Sequence, residues 1–268
     1  MITVYYENHL GEIIDLMKKP YRLITGTLFD YEWEETSSTI SSFSRSAKKK
    51  NLKMDIFDDK KTYHKNIDYL NEVFEKDILA KVPGKLYFCG SYINCYIITS
   101  EKSNWESNIF MVLNLTILTD AVWIRENNYN FYTYENTSTN NKQYPYKYPY
   151  RYANGLNNAY VINPHFVDAN FKMIIYGPAI NPMVVVGGNS YLVNIVLEEN
   201  ERLEIDSRSG TILKIMSKGE TVNAFHNREK KRTFFQKIKP GRQSISWTGD
   251  FAFDLVIYEE RSEPKWSS

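Results

Sequence analysis

The chain is poor in the residues that carry most recognisable chemistry, with 2 cysteines and 4 histidines in 268 residues. His9, His64, His165 and His226 show no i,i+4 or His-x-His grouping, and neither Cys89 nor Cys95 stands beside one. A zinc site of the usual spacing is therefore absent. There is no Gly-x-Ser-x-Gly elbow, no phosphate loop ending in Gly-Lys-Ser/Thr and no Gly-x-Gly-x-x-Gly. These absences remove the hydrolase, nucleotide-triphosphate and dinucleotide signatures, and no cofactor or metal is expected. Glycine and proline, 12 and 9 residues, are too few for collagen-like or low-complexity architecture. Charge of one sign is also lacking: 33 Lys and Arg against 32 Asp and Glu leave +1, so no global field gathers nucleic acid or anionic lipid. The longest apolar runs, Ile109 to Leu113 and Met183 to Val186, fall far short of the ~20 residues of a membrane-spanning helix. The opening Met1 to Glu7 lacks the basic and apolar regions of a signal peptide.

Aromatics are abundant, at 15% with 21 Tyr and 14 Phe, and aromatic side chains suit the half-buried face of a pleated sheet. From Gly187 to Tyr258 turn residues recur at the 8–12-residue spacing of a sandwich or barrel. Between them Leu203 and Ile205, Ile245 and Trp247, and Phe251, Phe253, Leu255 and Ile257 alternate with period two. The stretch from His165 onward reads as an antiparallel β-sandwich. In the first half, Phe29, Tyr31 and Trp33, and again Leu52, Met54 and Ile56, predict strands. Tyr63, Ile67, Leu70, Phe74 and Ile78 predict a helix over 60–78, with Asp58 or Asp59 as its N-cap and Pro83-Gly84 closing it. Ile109 to Leu118 reads as a strand buried on both faces.

The fold class expected is therefore mainly β: an α+β N-terminal domain over 1–126 with one main helix, a connector over 127–164, and an all-β domain over 165–268. The connector contains Tyr144-Pro145-Tyr146-Lys147-Tyr148-Pro149-Tyr150-Arg151-Tyr152, and prolines among tyrosines predict an extended segment whose rings pack. Cys89 and Cys95 fall in an expected hairpin around Gly90-Ser91, which would set residue 89 opposite 92 and residue 95 opposite 86. The thiols would then be free and buried, as suits a reducing compartment. The sequons at Asn114 and Asn136 are read as coincidental.

Few residues remain as candidates for chemistry. The acid pairs Glu34-Glu35, Asp58-Asp59, Glu198-Glu199 and Glu259-Glu260 are strand neighbours or caps. Adjacent strand residues point to opposite faces, whereas paired catalytic carboxylates flank one bond. Arg45 with Lys48, Lys49, Lys50 and Lys53 forms one basic run, and Arg228 with Lys230, Lys231 and Arg232 another; neither interleaves aromatics for base stacking. Trp247 is either an inward residue continuing from Ile245 or a stacking platform for a sugar.

The order of Tyr176-Gly177-Pro178-Ala179-Ile180-Asn181-Pro182, Tyr191-Leu192-Val193-Asn194 and Leu203-Glu204-Ile205-Asp206 is informative in its sequence of turns and strand ends. It continues through Gly219 to Phe225, Ile238-Lys239-Pro240-Gly241, Trp247-Thr248-Gly249 and Arg261-Ser262-Glu263-Pro264-Lys265-Trp266. With Thr62 to Asn66, Phe74 to Ile78 and Pro83 to Tyr87 in the first half, this order resembles the distal tail protein family of long-tailed bacteriophages. The resemblance implies a ring-forming N-terminal domain and a galectin-like C-terminal sandwich. It implies a non-enzymatic virion component at the tail tip, assembled as a homohexamer in the host cytoplasm. The ring would join the tail tube protein to the hub or lysin and to receptor-binding or baseplate proteins, with DNA only in transit through its lumen. Lys48, Lys49 and Lys50 are then candidates for the lumen or an acidic partner. The alternative is a lectin-like module binding a host glycan against Trp247. The sugar-binding constellation of galectins has only His226-Asn227-Arg228 as its nearest echo here.

Overall fold

The computed structural model describes residues 3–35, 43–44, 46–103, 109–120, 122–133, 159–231 and 233–266. The chain forms two compact units, Met1–Arg125 with Glu260–Ser268, and Glu126–Glu259. The first contains β1 (Val4–Glu7), β2 (Ile13–Asp15), β3 (Tyr21–Gly26), β4 (Glu34–Glu35), β5 (Phe43–Ser44), β6 (Lys48–Phe57), α1 (Tyr63–Ala80), β7 (Gly84–Phe88), β8 (Ser91–Ser103) and β9 (Phe110–Thr119). The chain leaves this unit along β10 (Trp123–Phe131) and returns to it at the end of β21 (Phe253–Arg261).

In the first unit an antiparallel sheet runs β3-β6-β9-β8-β7-β1-β2. Its two edges meet where the Leu23 N–H donates to the Leu16 carbonyl at 2.8 Å. Period-two alternation works as expected along β6, where Leu52, Met54 and Ile56 are all buried, pairing β9 through Leu52↔Leu115, Met54↔Leu113 and Ile56↔Met111. In β9 only Met111, Val112 and Leu113 are buried in succession; from there the strand alternates and Asn114 is exposed. It is thus two-sided at one end only.

The helix starts later than its apolar period suggested, because residues before Tyr63 are spent on a turn: the Tyr63 N–H donates to the Asp59 carbonyl, and Thr62, not an aspartate, holds the N-cap position. The helix ends at Lys81 in the left-handed conformation (φ 57°), with the Val82 N–H on the Asp77 carbonyl at 3.2 Å. The buried stripe is Tyr63, Ile67, Leu70, Val73, Phe74 and Asp77, while Ile78 is 41% exposed. The next inward position after Phe74 is thus an acid.

Two other expectations are corrected. The hairpin turn is Cys89-Gly90, both at positive φ, with Phe88 opposite Ser91 and Gly84 opposite Cys95. Both cysteines are free, Cys89 half-buried at the turn and Cys95 buried. Phe29, Tyr31 and Trp33 do not form a strand. The Lys50 ammonium reaches into this loop and donates to the carbonyls of Leu28 at 2.7 Å and Asp30 at 2.6 Å. A side chain thus satisfies backbone groups that a strand ladder would otherwise use.

The second unit adds β11 (Ala159–Asn163), β12 (Phe171–Tyr176), β13 (Ala179–Ile180), β14 (Met183–Val186), β15 (Asn189–Leu192), β16 (Val196–Leu197), β17 (Arg202–Asp206), β18 (Thr211–Ile215), β19 (Thr221–Asn223) and β20 (Gly241–Trp247). One sheet runs β19-β18-β17-β12-β21-β10, another β11-β20-β14-β15, with β13 and β16 as a short ribbon. Phe171, Met173, Leu203, Ile205, Phe253 and Leu255 from the first sheet and Val161, Val184, Tyr191 and Ile245 from the second share one buried core, which makes the unit a β-sandwich. The pairings in it whose register is described are antiparallel. The whole chain is mainly β with a single long helix among the described residues.

The boundaries read from composition shift accordingly. Both ends of the expected 127–164 connector are strands, β10 to Phe131 and β11 from Ala159, and the Tyr/Pro run itself lies outside the described residues. The segment from Glu260 onward belongs with the first unit, where the Trp266 ring lies 4.8 Å from Phe29 and 5.0 Å from Phe88.

Candidate functional site

Lys48, Lys49 and Lys50 lie on one strand, so alternation separates them. Lys48 pairs with Glu34 at 2.5 Å and Glu32 at 3.4 Å. Lys50 is buried with the two loop carbonyls, and burial pushes its ammonium below the usual lysine range. Only Lys49 is exposed. The run lines an open groove of about 350 Å³ with Thr27, Asp30, Tyr31 and Glu32, whose acids offset its charge. A continuous basic surface is not formed.

Trp247 is 5% exposed. Its Nε1 donates to the Phe251 carbonyl at 3.2 Å, and its ring meets Phe131 and Phe253 edge-on at 5.4 and 5.3 Å. It offers no face to a sugar, because alternation from Ile245 carries it inward. His226-Asn227-Arg228 is likewise occupied with local structure. The Arg228 guanidinium sits 3.7 Å over the Phe225 ring and donates to the Phe225 carbonyl, while the Asn227 amide donates to the Asn194 carbonyl at 2.9 Å.

A polar cluster built on a fully buried acid in the first unit escaped sequence reasoning. Asp77 has no exposed surface; its carboxylate accepts the Tyr6 hydroxyl, the His9 backbone N–H at 2.9 Å and the His9 ring Nδ1. Burial and the Asp77 hydrogen bond push the Tyr6 phenol far above its ordinary value. A methyl group at Gly84 would collide with the Tyr6 hydroxyl and the Asp77 carboxylate, so glycine there is required by close approach rather than by helix termination. The only sequence signal was an acid at an inward helical position. The buried Cys95 thiol lies within electrostatic reach of Tyr6 and Asp77, and burial first, then the Asp77 charge, pushes it above the usual thiol range; among the described residues no group of three or more His, Cys, Asp or Glu could hold a metal.

Several other acids are engaged in structure. Glu201 pairs with Lys214 at 2.6 Å and Glu204 with Lys172 and Arg202. Asp58 takes the Lys19 ammonium at 2.9 Å, the Thr62 hydroxyl at 2.7 Å, the Asn66 amide at 2.6 Å and the Asp59 N–H at 2.9 Å. The Lys19 contact, then these donors, hold its carboxyl well below the usual carboxylate range. A folded-state value below the unfolded one gives stability present above the ordinary carboxylate range and lost as pH falls through the folded value. Asp58→Asn is therefore expected to be less stable than the parent chain at pH 7, with the gap closing in strong acid. Urea midpoints of both chains at pH 7 and about pH 2 check this, and a gap independent of pH contradicts it.

No family model and no curated protein matches the chain. Solved structures do. The Dit protein (gp 19.1) of phage SPP1, described as a paradigm of the hub adsorption apparatus in phages infecting Gram-positive bacteria, is similar over 97% of this chain and 99% of its own, with TM-score 0.57 and 11% identity. A chain of the phage p2 baseplate in its activated conformation with Sr is similar over 98% of this chain and all of its own, with TM-score 0.59 and 14% identity. The corresponding baseplate structure with Ca matches with TM-score 0.57. From end to end, then, this chain has the fold of phage Dit and baseplate proteins.

Proposed function

We propose that the chain is a distal tail protein, a structural, non-enzymatic component of a phage or prophage tail tip that assembles as a hexameric ring. The observation that carries this reading is the extent of the likeness, which covers 97% of this chain and 99% of the SPP1 Dit chain, so that both β-rich units have counterparts there. The sequence resemblance, built on turn and strand-end order, supports the same assignment independently.

In this reading the ring joins the tail tube protein on one side to the hub or lysin and the receptor-binding apparatus on the other. Phage DNA passes through its lumen without being bound, in keeping with the near-neutral chain and the divided lysine run on β6. The protein is assembled in the host cytoplasm and resides in the virion. The buried Trp247 weighs against a glycan-binding role at that residue.

Light scattering on a size-exclusion column across a concentration series tests the proposal. The expected species is about 190 kDa, six times the 31.5 kDa chain. A 31.5 kDa species persisting at all concentrations, and in the presence of tail tube protein, would refute the ring.

A further inference from the structure

The near balance of charge over the whole chain conceals a local excess. Residues 230–249 carry six cations and no acid, in a chain whose 33 Lys and Arg otherwise face 32 Asp and Glu. To this stretch the fold of the second unit brings exposed apolar side chains from β11 and the loop that follows it.

The two segments are sewn together by buried groups. Ile238 is buried and bridges Ala169, each N–H donating to the other's carbonyl at 2.9 Å. Its neighbours Lys237 and Lys239 therefore turn outward. The buried Asn163 amide donates to the Ile238 carbonyl at 2.8 Å and to the Val167 carbonyl at 3.2 Å, and its Oδ1 accepts the His165 N–H at 2.9 Å. These bonds hold the loop with Phe166 75% and Val167 46% exposed. On β20, Arg242 stands opposite the exposed Ile162. Its guanidinium lies 3.8 Å from the Tyr160 ring centroid, a stacking that leaves the in-plane donors unspent.

Lys172, Arg202 and Lys214 of the same unit are ion-paired with glutamates, whereas Lys237, Lys239 and Arg242 enter no ion pair among the described residues. Asp168 is the one acid on the loop itself. The cavity that Lys237 and Lys239 border holds about 10 Å³, room for a single water at most, so it gives a soluble anion no enclosed seat. Apolar side chains and cations are instead presented outward together. That combination matches the boundary of an anionic bilayer, where lipid phosphates meet the cations while apolar side chains enter beneath the headgroups. A soluble polyanion would use the cations alone and leave Phe166 and Val167 in water.

We propose that Phe166 and Val167, with Lys237, Lys239 and Arg242, form a docking surface for a phospholipid bilayer of net negative charge. The surface lies wholly within the second unit, and the proposal does not depend on the ring.

Flotation of the full chain with vesicles of phosphatidylglycerol and phosphatidylcholine in equal parts, and with vesicles of phosphatidylcholine alone, tests it. Binding is expected to the first and not to the second, and weakens as salt is raised. At about fivefold per cation, Lys237→Glu combined with Lys239→Glu lowers the partition about 25-fold or more. Phe166→Ser lowers it about tenfold, and Phe166→Trp binds as the parent does and shifts its emission to the blue when anionic vesicles are added. All three positions are exposed, so the circular dichroism spectra stay unchanged. Lys49→Glu, at an exposed lysine of the first unit, binds as the parent does. Absence of flotation with anionic vesicles at low salt overturns the proposal, as does a loss in Lys49→Glu equal to that of the double variant. Competition by soluble polyphosphate, with Phe166→Ser unaffected, assigns the cations to a soluble polyanion and also overturns it. Any of these failures leaves the ring, which is tested by mass, untouched.

Discussion

Asp77→Ala is expected to lower the stability of the first unit by about 3–5 kcal/mol, the range for breaking a buried charged hydrogen-bond group by removing one partner. The carboxylate is fully buried and its partners come from a different part of the chain, Tyr6 from β1 and His9 from the turn after it. Removing it strands the buried Tyr6 phenol at the desolvation cost of an unpaired polar group and takes the acceptor from the part-buried His9 N–H. Asp77 also stands in the last turn of α1, where the helix dipole disfavours a negative charge, so the residue is kept by its partners and not by its helix. Urea unfolding followed by tyrosine and tryptophan fluorescence measures the loss. Asp77→Asn, which keeps one acceptor, should lose less, about 1–3 kcal/mol. Gly84→Ala, which pushes a methyl into the same contact, should resemble Asp77→Ala. A change under about 1 kcal/mol for Asp77→Ala would show that the cluster is solvated.

Trp247→Ala should cost the second unit about 3–5 kcal/mol, as for truncation of a large buried aromatic. The ring fills space between Phe131 and Phe253, and its N–H is satisfied by the Phe251 carbonyl. Both the cavity and the stranded carbonyl contribute. Trp247→Phe keeps most of the volume and should lose about 1–2 kcal/mol, chiefly the hydrogen bond. A platform for sugar would behave in the opposite way, since an exposed aromatic is removed within about 0.5 kcal/mol. Thermal or urea unfolding separates the two cases without any ligand.

Where local pattern and tertiary environment agree, the residues already state the structure. Leu52, Met54 and Ile56 alternate and are buried on one face of β6; Phe253, Leu255 and Ile257 do the same on β21. Gly187-Gly188 sits at the turn between β14 and β15 with both glycines at positive φ, which is what a two-residue hairpin demands. The lectin alternative also turned on periodicity, because Trp247 lies two residues from Ile245 and follows it inward.

Phe29, Tyr31 and Trp33 show where that agreement fails. Their alternation is as good as that of β6, yet Lys50, 22 and 20 residues away from Leu28 and Asp30 in sequence and adjacent to them in space, takes their carbonyls. The register of the Cys89 hairpin moved by one residue on each strand because Cys89 accepts a left-handed conformation usually left to glycine or asparagine. No composition rule marks such a residue.

By itself the sequence determined the mainly β class, the place of the one long helix, the faces of the regular strands and the missing catalytic and metal motifs. These follow from short-range periodicity and residue type, which are fixed by backbone geometry within a few residues. Only the tertiary structure decided that Lys48, Lys49 and Lys50 do not act as one patch, that Asp77 meets Tyr6 and His9, that Gly84 must be glycine, and that the chain beyond Glu260 returns to the first unit. Each of these depends on partners tens of residues distant. The energy that selects them, burial of a charge or close approach of two backbones, exists only once the long-range contact has formed.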